Sequence, residues 1–328
     1  MAKIIDAHIH YGDDAPQLLT LLDELDVMLL NISLVADPAV NWRAQAEFYA
    51  GLHFRYPQHF AWCTTFDLPD FDDPKYADRV IAGLERDFAN GAVACKVWKN
   101  VGMEVRKPDG SFLMIDDPIF TPIFDRIAER DSTLLLHMAE PLACWLPLDE
   151  KSPHYRYYST HPEWHMFKRP DFPSHVELIA ARDRLVAAYP NLRVVAAHLA
   201  SLEHDVDEVA ARLDRYPNLA VDISARLGDL AVQDSGKVRD FFLSYQDRIL
   251  FGTDVVMRER PSTMPDEKCQ AAIADLAGTY RIHFAYLETG ETLSVRGIET
   301  QGLSLPEPVL QKIYRTNAER WYPGLATI

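Results

Sequence analysis

Hydrophobic and polar positions alternate along the chain in two rhythms, one typical of buried strands and the other of amphipathic helices. Short apolar runs predict eight strands, at residues 3–10, 27–35, 60–66, 92–98, 133–137, 192–198, 219–223 and 249–254. Between them, apolar residues three and four positions apart, such as Val80, Leu84 and Phe88, predict helices. Because strands that alternate with helices form parallel sheets, the pattern predicts an α/β fold.

Eight successive β/α units favour closure of the sheet into a (β/α)8 TIM-like barrel. An open doubly wound sheet is the alternative. Against it, no predicted strand is followed by G-x-G-x-x-G or by G-x-x-x-x-G-K-[ST], the glycine-rich sequences with which such sheets bind nucleotides. Neither a low-complexity segment nor a linker divides the sequence, so we expect one domain over residues 1–328.

One long segment, residues 140–175, interrupts the rhythm after the fifth strand. It is rich in aromatic residues, and loops longer than about 15 residues are usually either functional or disordered. Because large aromatic side chains argue against disorder, we expect a lid over the site. An Ω-loop packed on its own aromatic residues and a subunit contact are the alternatives. His154, His161 and His165 of this segment suggest a second metal site, but their spacing lacks a convincing set of partners.

Composition and charge narrow the class of protein. Hydrophobic residues make up 48% and charged residues 25% of the sequence, as in ordinary soluble globular proteins. The formal net charge of −16 disfavours nucleic acid and anionic membranes as partners, because both attract basic surfaces. The four cysteines show no C-x-x-C spacing, and neither a targeting leader nor a membrane-spanning run is found. We therefore expect a cytoplasmic protein without disulfides.

The first strand carries two histidines close to its carboxyl end. Side chains in a strand point alternately to opposite faces, so Asp6, His8 and His10 are expected to share one face. Two imidazoles one residue apart on the same face can reach a common metal ion. A polar strand end with two solvated histidines is the alternative.

Other predicted strands also end in metal-binding side chains. His137 ends the fifth strand, His198 the sixth and Asp254 the eighth. Because active sites in barrels of this kind lie at the carboxyl ends of the strands, these residues are expected to converge with the histidines of the first strand. Each of them alone is explained equally well as a hydrogen-bonded rim residue, but together they predict an imidazole and carboxylate metal site.

In their order along the chain, these motifs resemble the amidohydrolase superfamily, and specifically its amidohydrolase-related (amidohydrolase 2) branch of metal-dependent hydrolases, lactonases and non-oxidative decarboxylases. The resemblance covers nearly the whole chain. The motifs that carry it are Asp6-Ala7-His8-Ile9-His10, Leu136-His137, Ala196-Ala197-His198, Phe251-Gly252-Thr253-Asp254 and Ile313-Tyr314-Arg315-Thr316-Asn317-Ala318.

The resemblance implies that His8, His10, His137 and Asp254 bind one divalent metal ion, with zinc expected first and manganese as the alternative. It places His198 beside the ion as a catalytic residue or a further ligand. A bound divalent ion lowers the pKa of its water toward ~7 and polarises a carbonyl. Asp254 is then expected to carry the proton from that water to the leaving group, and His198 to hold or protonate the substrate oxygen.

Five further residues are candidates for contacts with the substrate. Lys96 lies on the fourth strand, where some superfamily members carry a carboxylated lysine that bridges two metals; because this branch resembles a single-metal design, we expect Lys96 to line the site. Arg226 and Arg258 follow the seventh and eighth strands, where a guanidinium could bind a carboxylate. Glu140 and Trp145 lie at the start of the insertion.

Three functions follow as hypotheses. The first is a metal-dependent hydrolase that acts on an ester, lactone or amide bond of a small molecule, which can itself carry a carboxylate. The second is a metal-dependent non-oxidative decarboxylase of an aromatic or unsaturated acid. The third, a non-catalytic binding barrel, is disfavoured because the set of ligands is intact. The expected partner is a small-molecule substrate, and a homo-oligomer is left open.

Overall fold

Eight parallel strands form the centre of the fold. The structure, a computed structural model, describes residues 4–35 and 41–327, without the side chains of residues 326 and 327. Strands that follow one another in the sequence are also neighbours in the sheet, in the order β1 to β8. They are β1 (Ile4–Ile9), β2 (Val27–Ile32), β3 (Phe60–Thr64), β4 (Ala92–Val97), β5 (Thr133–Leu136), β6 (Arg193–Ala196), β7 (Leu219–Asp222) and β8 (Ile249–Leu250).

Backbone hydrogen bonds bring the end of the sheet back to its beginning. The Ala7 nitrogen donates to the Phe251 oxygen at 2.9 Å, and the Asp254 nitrogen donates to the His8 oxygen at 2.8 Å. The strands therefore form a nearly closed (β/α)8 barrel, as the alternating pattern predicts, and the open-sheet alternative is wrong.

Helices alternate with these strands along the chain. α4 and α8 are single turns with non-helical backbone angles inside them. A π-helical turn, Lys312–Thr316, joins the last two helices. The helices are α1 (Pro16–Leu25), α2 (Trp42–Arg55), α3 (Tyr76–Ala89), α4 (Asn100–Met103), α5 (Thr121–Glu129), α6 (Tyr155–Thr160), α7 (His175–Ala188), α8 (Ala197–Ala200), α9 (Val206–Arg215), α10 (Leu227–Ala231), α11 (Ser235–Ser244), α12 (Asp266–Glu288), α13 (Glu307–Gln311) and α14 (Asn317–Trp321).

Two hydrophobic clusters hold these elements together. One draws alternate residues from the strands, Leu30, Ala94 and Leu135 among them, and is completed by Trp321 and Tyr322 near the end of the chain. The larger cluster joins the other faces of the strands to the surrounding helices. In the described part of the chain, no helix combines the length and the hydrophobicity needed to span a bilayer.

The insertion between β5 and α7 is built from short turns. It contains α6 and two 3-10 turns, Leu142–Trp145 and Pro162–Trp164. The Met166 nitrogen donates to the Cys144 oxygen at 2.9 Å, and Tyr158 is buried. The segment therefore folds back on itself and packs closely against the rest of the chain.

A β-hairpin follows α12. Strands β9 (Thr292–Val295) and β10 (Ile298–Gln301) pair antiparallel around Arg296 and Gly297. Both turn residues have positive φ, 50° and 83°, as in the type I′ turn that suits hairpins. The sequence signal was weak because arginine stands where asparagine or aspartate usually does.

Candidate metal centre and its cavity

A cavity of about 580 Å³ brings the predicted strand-end residues together. His8 and His10 enter it from the end of β1, and His137, His198 and Asp254 from the segments that follow β5, β6 and β8. Residues separated by nearly 250 positions thus meet because parallel strands of a barrel end on the same side.

Hydrogen bonds orient both histidines of β1. The His8 Nδ1 lies 2.8 Å from an Asp222 carboxylate oxygen, and the His10 Nδ1 lies 2.8 Å from the Ile32 carbonyl oxygen. Because both partners only accept hydrogen bonds, each Nδ1 carries a hydrogen, and in the neutral form of each ring the lone pair is then on Nε2. A neutral imidazole held in this way, with the second nitrogen free, is the usual arrangement of a metal ligand.

The carboxylate of Asp254 lies beside the Nε2 atoms of His8 and His10. Its Oδ1 is 3.5 Å from His10 Nε2 and 3.8 Å from His8 Nε2, so the three side chains could hold one metal ion. Burial alone would raise the pKa of Asp254, but the neighbouring imidazoles of His198, His10 and His8 hold it well below its usual range. Asp254 also has a positive φ of 57°.

His198 and His137 complete this wall of the cavity. Their rings lie 4.3 Å apart, and the His198 Nδ1 donates to the Ser224 carbonyl oxygen at 2.9 Å. The Nε2 of His137 is buried, and no hydrogen-bond partner lies near it within the described residues. Burial lowers the pKa of both histidines well below 6.5, so both are neutral and able to bind a metal.

An unusual backbone conformation places His198 here. His198, Leu199, Ala200 and Ser201 all have positive φ, between 54° and 60°. Four consecutive non-glycine residues in this region are costly, and such strain persists only where the surroundings enforce it. Asp222 accepts a hydrogen bond from the His198 backbone nitrogen at 2.8 Å and thereby supports this turn.

Asp222 is a residue that the sequence reasoning missed. It is fully buried at the end of β7 and connects His8, the His198 backbone and Ser224. Burial would raise its pKa, but the contact with His8 holds the pKa well below its ordinary value. The signal was present in the sequence, since Asp222 is an acidic residue that ends an otherwise apolar strand.

Asp6 does not share a face with the two histidines, so that expectation is wrong. The register of β1 against β2 shifts between Asp6 and Ile9, which breaks the strict alternation of side chains. The Asp6 carboxylate instead accepts hydrogen bonds from Tyr280 of α12 at 2.9 Å and from the hydroxyl and nitrogen of Thr253 at 2.6 and 3.0 Å. Asp6 therefore fixes the segment that carries Asp254.

Cationic side chains surround the histidines. Lys96 is buried on β4 with its Nζ 3.3 Å from His8 Nε2, and burial lowers its pKa to about 8 although two carboxylates oppose the shift. Lys99 forms an ion pair with Glu140, which also accepts a hydrogen bond from Tyr158 at 2.8 Å. Arg226 lines the cavity, with its Nε 3.8 Å from a Glu203 oxygen.

Two of the predicted substrate contacts lie outside the cavity lining. The Trp145 Nε1 donates to the Pro173 oxygen, and its ring packs 5.3 Å from that of His175. Arg258 is exposed, four residues after Asp254. The structure thus brings Lys96, Glu140 and Arg226 into the cavity, but it does not bring Trp145 or Arg258 there.

A second cluster lies where the insertion meets α10. The His154 Nε2 is 2.7 Å from an Asp229 oxygen, and Glu203 lies close enough for the three to surround an ion. Arg226 already offers a positive charge to Glu203, which reduces the attraction for a cation. His161 and His165, the other histidines considered for a second metal site, bond instead to the backbone oxygens of Tyr157 and Leu146.

Comparison with known proteins places this geometry in context. The sequence profile of the amidohydrolase family (Amidohydro_2) matches residues 5–324. A search among curated proteins finds no significant match.

Solved structures of similar fold include enzymes of several activities. A 2,6-dihydroxybenzoate decarboxylase from Rhizobium is 20% identical with a TM-score of 0.55, covering 98% of this chain and 99% of its own. A dihydroxybenzoic acid decarboxylase from Polaromonas, with bound manganese and the inhibitor 2-nitroresorcinol, is 18% identical with a TM-score of 0.54 and covers 95% and 86%. A 4-oxalomesaconate hydratase from Rhodopseudomonas palustris is 14% identical with a TM-score of 0.54 and covers 99% and 97%. At these identities the likeness concerns the fold.

Proposed function

Because the chain belongs to the amidohydrolase family, we propose that it is a metal-dependent enzyme that removes a carboxylate, as carbon dioxide, from a small aromatic or unsaturated acid. The observation that carries this proposal is the charge of the cavity. Four cationic side chains, Lys96, Lys99, Arg226 and Arg296, line it in a protein with a net charge of −16. Glu140 and Glu203 balance Lys99 and Arg226, so Lys96 and Arg296 remain for an anionic ligand. A positive cavity in an acidic protein suits an anionic substrate.

The residues at the floor of the cavity fit a divalent metal ion. His8, His10 and Asp254 offer two neutral imidazole nitrogens and a carboxylate within one cluster, and the buried Nε2 of His137 lacks a partner among the described residues. These four side chains would hold one ion, and their nitrogen and oxygen donors suit zinc or manganese. When bound, such an ion supplies a positive charge that binds and polarises oxygen atoms of the substrate.

The walls of the cavity favour loss of carbon dioxide over attack by water. Aromatic and apolar side chains, among them Tyr49, Trp98, Tyr157 and Met257, line it. Such walls suit a planar substrate and remove water from the carboxylate, which raises its free energy relative to neutral carbon dioxide. The decarboxylases that share this fold act, by their names, on carboxylated aromatic compounds.

The insertion serves as a lid in this proposal. Tyr158 of α6 donates to Glu140, which pairs with Lys99, and the Lys99 Nζ lies 3.9 Å from the centre of the Trp164 ring. These contacts tie both sides of the insertion to the segment that follows β4. His154 and Tyr157 of the same insertion line the cavity, so closure of the lid would exclude water.

Asp254 and His198 have the proton-transfer roles. When the bond to the carboxylate carbon breaks, its electron pair stays on the substrate carbon, which must take up a proton. Asp254 lies at the cluster, where it would relay that proton from water to the carbon, and His198, fixed through Nδ1, keeps Nε2 free to accept a hydrogen bond from a substrate hydroxyl.

Hydrolysis is the second candidate. Next to His8 and His10, Asp254 is also placed to act as the base that would take a proton from an attacking water molecule. A hydrolase at this site would act on an ester, lactone or amide that carries a carboxylate, because the cationic side chains of the cavity would still need an anionic group of the substrate as a partner.

The test is a substrate screen on manganese-loaded and zinc-loaded enzyme. Hydroxybenzoates and unsaturated acids are assayed for released carbon dioxide, and carboxylated lactones and esters for ring opening or acid release. We expect carbon dioxide from at least one acid, and a loss of about 10²–10⁴-fold in kcat in Asp254→Asn with unchanged circular dichroism. Turnover confined to lactones or esters would replace the proposal with the hydrolase, and full activity of Asp254→Asn would refute its role.

A further inference from the structure

The hairpin of β9 and β10 carries an arginine to the mouth of the cavity. Val295, just before the turn, is buried, and hydrogen bonds from the Leu303 nitrogen to the Tyr286 oxygen and from the Gly302 nitrogen to the Glu291 oxygen fix the base of the hairpin. The hairpin packs against α10 and α12. Arg296 at its tip is therefore held by a rigid element and not by a free loop.

Arg296 adopts a conformation that arginine does not favour. Its φ is 50°, in the first position of a turn where asparagine, aspartate or glycine would be more stable. A side chain that disagrees with the local backbone is a candidate for a functional role. The fold of the hairpin alone gives no reason for an arginine here.

The arginine lies between two cavities. It lines the main cavity and a second one of about 310 Å³, and Ala225 and Asp254 border both. Its Cδ would lie 3.7 Å from a Cβ added to Gly228, so the aliphatic part of the side chain rests on α10.

The guanidinium of Arg296 has no anionic partner in the described part of the chain, where no carboxylate oxygen lies within 4.0 Å of it. Two other cations of the cavity are balanced, since Lys99 pairs with Glu140 and Arg226 lies beside Glu203. Arg296 therefore has its positive charge available to a ligand.

We propose that Arg296 is a specificity-determining residue that binds a second anionic group of the substrate, at the solvent-exposed side of the cavity. The preferred substrate is then a dianion, such as an aromatic dicarboxylate, with one carboxylate at the histidine cluster and the other at the hairpin. This inference rests on the proposed function, because the first carboxylate is the one that is lost. A guanidinium suits the role because it binds a carboxylate through two hydrogen bonds.

The test compares benzoate with the three benzenedicarboxylates as ligands of the manganese-loaded enzyme, by isothermal titration calorimetry. Wild type is expected to bind at least one dicarboxylate about tenfold more tightly than benzoate. Arg296→Asn should abolish that difference and leave benzoate affinity within about twofold. Its Tm should equal or exceed that of wild type, because asparagine suits the turn. The matched control is Arg281→Asn, an exposed arginine of α12 outside the main cavity, which should change neither ligand's affinity.

The outcomes separate the two proposals. If benzoate binds but no dicarboxylate binds more tightly, or if Arg296→Asn keeps the difference, the role of Arg296 is wrong and the proposed function stands. A lowered Tm with equal weakening of both ligands would show a structural role and would also overturn the inference. If no ligand binds to wild type, the proposed function itself fails, and the inference falls with it.

Discussion

Replacement of Asp222 by asparagine should weaken metal binding without removing a single metal ligand. The substituted amide would keep an oxygen for the His198 and Ser224 nitrogens but would present its N–H₂ group to His8 Nδ1, where the carboxylate now lies at 2.8 Å. Two donors cannot face each other, so the His8 hydrogen would move to Nε2 and block the lone pair that faces Asp254. Loss of such a supporting carboxylate typically costs about 10–100-fold in metal affinity, about 1.4–2.7 kcal/mol.

The assay is a competition titration of the metal-free enzyme with zinc or manganese against a chromophoric chelator. Asp229→Asn is the matched control, since Asp229 holds His154 Nε2 through an equally short contact of 2.7 Å in the other histidine and carboxylate cluster. We expect Asp222→Asn to bind metal about 10–100-fold more weakly and Asp229→Asn to bind it as wild type does. Equal affinity of Asp222→Asn and wild type, or a larger loss in Asp229→Asn, would refute the reasoning and move the site to the second cluster.

Two further predictions concern stability. Burial lowers the pKa of His283 from 6.5 to about 4. Between these two pH values His283 is protonated in the unfolded chain but not in the folded one, so the free energy of unfolding decreases as the pH falls. Relative to His283→Phe, wild type should lose about 2 kcal/mol in urea unfolding between pH 7 and pH 5; parallel pH profiles would contradict this. Tyr280→Phe should cost about 1.5–3 kcal/mol because it removes a donor from the buried Asp6 carboxylate. The buried hydroxyl of Tyr286 has no partner in the described residues, so Tyr286→Phe should leave the free energy of unfolding unchanged or raise it. Equal losses of stability in the two tyrosine variants would argue against the Asp6 contact.

The sequence predicts the barrel well because its signals are local. A short apolar run such as residues 92–98 predicts a strand without any information from the rest of the chain. The structure places β4 at Ala92–Val97. The eighth predicted strand, residues 249–254, contains only two residues of regular sheet, Ile249–Leu250. Beyond them the Thr253 hydroxyl donates to the Asp6 carboxylate, a contact 247 positions apart that no local pattern shows. The sequence signal for the hairpin is weak, since arginine is unusual at the positive φ that Arg296 adopts.

The structure brings the predicted site residues together where position along a strand determines their place, and it does not where tertiary contacts do. His8, His10 and Asp254 meet because they follow strand ends, which can be counted in a sequence. Asp222 is visible in the sequence as an acidic strand end, but its contact with His8, 214 positions away, appears only in the fold. Trp145 was selected for its type and its place in an aromatic segment, but the fold of that segment turns it toward His175.

The central claim is that the histidine cluster at the carboxyl ends of the strands holds a metal ion that the reaction requires. The most direct test is the metal content per chain, by elemental analysis after metal loading and dialysis, in wild type and in the His8→Ala, His10→Ala double variant, with circular dichroism to confirm folding. We predict about one zinc or manganese ion per chain in wild type and none in the folded double variant. A wild type that holds no metal, or a double variant that keeps it, would contradict the account.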